Sequence, residues 1–184
     1  VILADNAAQY IKDDVLHLNG NTIMINGLDT LTCDSMVYWS KLDSGYAMGN
    51  VRYIQPEKDR KLTTDVFHYW QTDGYRGSSF FTKGFTRIID SDRLITANEI
   101  RYDDDQQLMK LAVNVSVEDP QRGIFGDEME IQYADSLMEK IHVVSRAFAY
   151  NDLNAVVEKG GKFQLFRDEM NSKEMTSCSQ NAFK

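Results

Sequence analysis

A short phrase returns four times along this chain and constrains its fold more than any other feature. The first copy reads Gly20-Asn21-Thr22, then Leu31-Thr32-Cys33-Asp34, then Tyr38. The second reads Gly49-Asn50-Val51, Leu62-Thr63-Thr64-Asp65 and Tyr69, and the third Gly84-Phe85-Thr86, Ile95-Thr96-Ala97-Asn98 and Tyr102. A looser fourth has Val113-Asn114-Val115, Ile124-Phe125-Gly126-Asp127 and Tyr133. From the Asn position to the Asp position the interval is 13, 15, 13 and 13 residues, and from Asp to Tyr it is 4, 4, 4 and 6. A fixed period of this kind marks a stack of one supersecondary unit, each copy covering the apolar face of the next. Stacks usually serve as scaffolds or binding surfaces, which turns the expectation away from an enzyme.

Each unit reads as two strands joined by a turn. Met109, Leu111, Val113, Val115 and Val117 alternate with polar neighbours and are predicted to share one face of a strand. Ala47, Val51 and Tyr53 repeat the pattern, and Leu16, Leu18, Thr86 and Ile88 give weaker versions. Asn26-Gly27-Leu28-Asp29, Asp43-Ser44-Gly45, Thr72-Asp73-Gly74, Asp90-Ser91-Asp92 and Asp103-Asp104-Asp105 supply turn chemistry, and Pro56 and Pro120 fall in connections. Helical periodicity is weak, Asp135–Lys140 being its best case. The expectation is eight or nine antiparallel strands in one all-β domain over 1–150, a loop over 151–162, and terminal strands and tail of the same domain over 163–184. Such a meander buries one face by folding over itself, which leaves an apolar slot inside and unpaired strands at both ends. The first edge, Ile2 to Tyr10, carries no Pro and is poor in Lys, so it is open to edge pairing.

The repeated residues have structural roles to fill. The Gly suits a bulge or close backbone approach, the Asp or Asn suits a bond to nearby backbone, and the Tyr suits packing with its hydroxyl at the rim. Little else points to chemistry. His17, His68 and His142 have no metal-ligand spacing, and no nucleophile elbow, P-loop or dinucleotide fingerprint exists. Asp13-Asp14 and Asp104-Asp105 read as solvated turns rather than calcium sites. Cys33 and Cys178 read as separate thiols, Cys33 as a small hydrophobe, with a long-range disulfide as the alternative. A net charge of -8 without a basic cluster argues against nucleic acid. No apolar run is long enough to span a membrane. Val1-Ile2-Leu3-Ala4 reads as a trimmed start with no visible signal peptide.

Four phrases in register resemble the OstA-like family of lipopolysaccharide-transport proteins. That family includes periplasmic bridge proteins (LptA), their inner-membrane partners (LptC) and the N-terminal domain of the outer-membrane translocon (LptD). The resemblance covers residues 4–133 and continues weakly to Tyr150. Gly49-Asn50-Val51 with Leu62-Thr63-Thr64-Asp65 is the nearest match, whereas Phe85 stands in an Asn position and Val113 in a Gly position. The resemblance implies a twisted antiparallel β-jellyroll with an open apolar slot, end-to-end assembly through edge strands with itself or other OstA-like proteins, a periplasmic location and lipopolysaccharide or a related lipid as cargo. It implies no cofactor and no catalysis. Leu16, Leu18, Ala47, Val51, Thr86, Ile88, Leu111, Val113, Val115 and Val117 are then the expected acyl-chain contacts. The alternatives are a strand-pairing scaffold of the cell envelope whose slot is simply its core, and, further off, a carbohydrate-active β-solenoid.

Overall fold

The computed structural model describes residues 1–71, 78–134, 137–151 and 163–166. The expectations for Thr72-Asp73-Gly74, for the loop over 152–162 and for the tail with Cys178 lie outside the described residues. The fold is all-β. Among the described residues thirteen strands form one antiparallel sheet: β1 (Ile2–Leu3), β2 (Asn6–Tyr10), β3 (Val15–Asn26), β4 (Asp29–Trp39), β5 (Ser44–Gln55), β6 (Arg60–Gln71), β7 (Ser78–Asp90), β8 (Arg93–Asp103), β9 (Leu108–Glu118), β10 (Arg122–Ala134), β11 (Leu137–Ser145), β12 (Phe148–Asn151) and β13 (Phe163–Phe166). From β3 to β11 each strand pairs with the next, so the nine long strands form a simple meander. At 137–140, inside the stretch with the best helical periodicity, strand β11 begins instead. Among the described residues no helix is long and apolar enough to cross a membrane.

The repeat locates a crease that crosses the sheet. Register shifts fall at Asn19/Thr22, Thr32/Ser35, Met48/Val51, Thr63/Val66, Lys83/Thr86, Thr96/Glu99 and Gly126/Glu128, one after another along the meander. Gly20 and Asn21 have φ of 77° and 43°, and Gly49 and Asn50 have 74° and 48°. Two successive left-handed residues bend a strand sharply. Glycine adopts that conformation without penalty and Asn tolerates it, which explains the recurring pair. A carboxylate earlier in the chain supplies a clamp: Asn21 Nδ2 donates to Asp5 Oδ2 at 2.9 Å, between β1 and β2, and Asn50 Nδ2 to Asp34 Oδ2 at 2.8 Å, on β4. Asp34 of the first copy thus meets the next unit's bulge through a side-chain amide, rather than the backbone at a strand entrance, and Asp5, ahead of the first copy, does the same.

Every long strand from β3 to β10 is therefore divided into two arms, and the sheet folds along the crease into two half-sheets that face each other as an open, twisted jellyroll. The edges show the division directly. β1 pairs with the Ile23–Met24 side of β3 and β2 with the Val15–Asn19 side. At the other end β11 pairs with the Glu128–Ala134 arm of β10 and β12 with its Arg122–Phe125 arm. The core lies between the half-sheets, with Met36, Ile88, Ile95, Ile100, Met109, Leu111, Met129 and Ile131 at most 2% exposed. Each such side chain contributes roughly 1.5–3 kcal/mol by leaving water.

Candidate binding cleft

The two half-sheets meet at the crease and part at their rims. Between them, on the β3–β8 side, lies an open cleft of about 320 Å³, at the small end of the range for ligand pockets. One wall carries Met24, Leu31, Tyr53 and Leu62, the other Phe67, Tyr69, Phe80 and Tyr102. The rings run in sequence across the strands, with centroid separations of 5.5 Å for Tyr53–Phe67, Phe67–Phe80 and Phe80–Tyr102. The Phe67–Phe80 and Phe80–Tyr102 pairs make one wall a continuous aromatic surface, and the Tyr53–Phe67 pair joins it to the other wall. Tyr69 Oη reaches across the gap to Met24 Sδ at 3.5 Å.

Most of the expected inner-face residues are buried in the core between the half-sheets, and none of the ten lines the cleft itself. Leu18, Ala47, Val51, Thr86, Ile88, Leu111, Val115 and Val117 are buried, and Leu16 is half-buried against the core. Val113 is the exception and corrects the sequence reading: it is 49% exposed, on the outside of the crease. The cause is backbone geometry. Val113 and Asn114 have φ of 65° and 57°, so the alternation that placed 111, 113, 115 and 117 on one face is interrupted between 111 and 115 and then resumes. A β-branched residue in the left-handed region is a genuine outlier. Thr86 is buried for a polar reason. Its hydroxyl donates to Thr82 Oγ1 at 2.9 Å, and Thr64 Oγ1 lies 2.9 Å away on the other side.

The repeated tyrosines pack inward as expected, and three of their hydroxyls reach a polar partner or the opposite wall. Tyr38 Oη donates to Asp43 Oδ1 at 3.0 Å, Tyr102 Oη to Asp104 Oδ1 at 3.2 Å, and Tyr69 to the Met24 sulfur. Tyr133 departs from this pattern, being 5% exposed. Burial pushes its phenol up to about 12, against the pull of the Arg60 guanidinium. Tyr53 belongs to the cleft outside the repeated set; Tyr53 Oη and Gln55 Nε2 both donate to Asp29 Oδ2, at 2.6 and 3.0 Å. Burial first, then the neighbouring carboxylate, raises the phenols of Tyr53 and Tyr102 well above their ordinary value.

Sequence reasoning passed over Arg60. It stands two positions before Leu62 and therefore faces inward, at the rim of the cleft. Arg60 Nη2 donates to Asp90 Oδ2 at 2.8 Å with both side chains under one-fifth exposed. Burial, the largest single influence, lowers its pKa, but the Asp90 carboxylate together with the Tyr133 and Tyr102 phenols raises it on balance. Its in-phase position relative to Leu62 and Thr64 was the available signal, hidden by the ordinary look of a charged residue beside a turn. Cys33 is a buried free thiol, pushed up to about 11 chiefly by burial, in keeping with a small-hydrophobe role. Among the described residues no group of three or more His, Cys, Asp or Glu is placed to hold a metal ion, Asp13-Asp14 and Asp104-Asp105 included.

No family model and no curated protein matches the chain. Among solved structures it is similar to LptH of Pseudomonas aeruginosa, described as the LptA-homologous periplasmic component of the lipopolysaccharide transport device. The match covers 91% of this chain and 94% of that one, at 10% identity and a TM-score of 0.33. Similarity at that level carries no argument about this chain.

Proposed function

We propose that this protein is a non-catalytic holder or conduit for lipopolysaccharide or a related lipid, acting in the periplasm on the way to the outer membrane. The observation that carries this reading is the apolar interior, which runs between the half-sheets and opens at one side as an aromatic-walled cleft. Acyl chains lie against Leu16, Leu18, Ala47, Val51, Thr86, Ile88, Leu111, Val115 and Val117. Each buried methylene contributes about 0.8 kcal/mol, so several weak contacts hold the chain without a single deep trap. The edge strands add the second half of the reading. All seven residues of β1 and β2 are exposed, and these strands offer free backbone groups to a second copy or to another OstA-like protein.

Val113 and Val115 provide an internal control. A photo-crosslinking side chain at Val115 is expected to label lipopolysaccharide in cells, and the same group at Val113 is not. Equal labelling from both, or labelling from Val113 alone, would refute the reading.

A strand-pairing scaffold of the cell envelope is the second reading, and one observation favours it. Along β7–β9 the interior residues Ile88, Ile95, Ile100, Met109 and Leu111 are 0–2% exposed, packed as a core is packed. In that case neither position labels lipid, while blocking the backbone of Asn6–Tyr10 by Ala8→Pro still abolishes end-to-end assembly.

A further inference from the structure

We propose that Arg60 is the centre of an anion subsite at the mouth of the cleft, built for a phosphate or carboxylate head group. For the apolar remainder of the ligand this rests on the lipid reading above; for the anion it does not.

The argument starts from an unspent donor. The Arg60 side chain is 13% exposed, and its Nη2 is committed to Asp90. Its Nε is buried and has no hydrogen-bond partner among the described residues. A buried guanidinium N–H without an acceptor is unfavourable enough that native proteins rarely leave one, so the site calls for an acceptor from outside the chain. Arg60 lines the cleft, and Lys58, on the short turn leading into β6, lines it too.

A second arginine stands beside the same carboxylate. In the cross-strand register Arg60 lies opposite Asp90, and Asp90 opposite Arg93. Arg93 stands two positions before Ile95, which is fully buried, so it shares the inward face. It makes no ion pair among the described residues. Arg60 and Arg93 thus flank a single carboxylate, Asp90, in the cross-strand register.

The other carboxylates of the cleft do not supply the missing acceptor. Asp29 accepts from Tyr53 and Gln55, Asp43 from Tyr38, and Asp104 from Tyr102 and Gln107. Each already accepts within the protein and none is bonded to Arg60, whose Nε donor is left over. A planar guanidinium fork suits a phosphate or carboxylate better than an ammonium does. At the mouth it would fix the head group while the apolar part of the same molecule lies against the aromatic wall.

Calorimetric titration of the full chain with dodecyl phosphate, dodecanoate, dodecanol and inorganic phosphate tests this. The wild type is expected to bind dodecyl phosphate or dodecanoate roughly tenfold tighter than dodecanol, about 1.4 kcal/mol, with the preference shrinking at high salt. The stronger of the two acids identifies the head group. Arg60→Gln alone leaves Asp90 buried and unpaired, so the diagnostic variant is Arg60→Gln/Asp90→Asn, which removes both charges together. It is expected to bind the acids and the alcohol equally. Arg93→Gln and Lys58→Gln, which leave the ion pair intact, are expected to reduce the preference two- to threefold each. Equal binding of acid and alcohol by the wild type, or a preference that survives the double variant, overturns the subsite and leaves the lipid reading standing. Binding of inorganic phosphate as tight as dodecyl phosphate, lost in the double variant, supports the subsite and overturns the lipid reading. No binding of any probe overturns both.

Discussion

The first two creases and the later ones produce the same bend from different residues. Between Asp5 and Gly20-Asn21, and between Asp34 and Gly49-Asn50, a carboxylate sits where a glycine leaves room and accepts from the adjacent amide. Farther along, the parts are lost one by one. Gly84 keeps its glycine and φ of 94°, but Phe85 offers Asp65 no amide and is 63% exposed. Val113 occupies the glycine position, opposite Asn98 rather than an aspartate. At the last crease Arg146, with φ of 45°, pairs with Asp127. The bend therefore does not depend on any one local motif. Once the first strands fold along the crease, hydrogen bonding to each neighbour imposes the bend on the next strand, and tertiary pairing overrides local preference.

Removing the space at an intact crease has the largest effect. A Cβ on Gly49 would overlap the Asp34 carboxylate, and the residue's φ is +74°. Gly49→Ala is expected to lower stability by about 3 kcal/mol, combining left-handed strain with displacement of the clamp. Gly27→Ala separates the two contributions. Gly27 has φ of 61° in the β3–β4 turn and nothing within 4 Å of an added Cβ, so its variant carries strain alone, about 1 kcal/mol. Urea denaturation of both variants measures the difference; equal losses would show that the carboxylate clamp adds nothing.

The opposite change at a degenerate crease works in the opposite direction. Val113 holds a left-handed conformation at a cost of about 1–3 kcal/mol, and it is half exposed, so little burial is lost on its removal. Glycine returns some of that gain as backbone entropy, roughly 0.5–1 kcal/mol. Val113→Gly is therefore expected to stabilise the protein by about 1 kcal/mol, seen as a higher urea midpoint with an unchanged slope.

Val113 also marks the limit of what the sequence reveals. Period-2 alternation correctly put Leu111, Val115 and Val117 inside, because strand geometry alone fixes those positions. It failed at 113, since a double left-handed bulge has no signature when Val replaces Gly. The repeated Gly was legible as a bulge, and the repeated Tyr as an inward ring. The partner of each bulge was not, because Asp34 and Asn50 meet across strands 16 residues apart. The mouth was hidden for the same reason. Arg60, Asp90 and Arg93 each flank a turn, where charges are ordinary, and only the register places them in one inward row. Tyr53 and Gln55 converging on Asp29 is likewise a product of pairing across the sheet.

The smallest effect distinguishes clamped from unclamped carboxylates. Asp34 and Asp65 occupy equivalent, exposed positions, and each abuts the glycine of the following strand. Only Asp34 receives a side-chain amide, at 2.8 Å from Asn50. A charge-assisted bond between exposed groups contributes little, since water competes for both partners and salt screens the charge. Asp34→Ala is expected to cost about 1 kcal/mol and Asp65→Ala under about 0.5 kcal/mol, with both variants equally folded by circular dichroism. The double variant Asp34→Ala/Asn50→Ala should cost scarcely more than Asp34→Ala, because the amide then has no carboxylate left to lose. If the two single variants cost the same, the amide contributes nothing. The glycine alone would then define an intact crease, and the difference between early and late creases would reduce to the valine at 113.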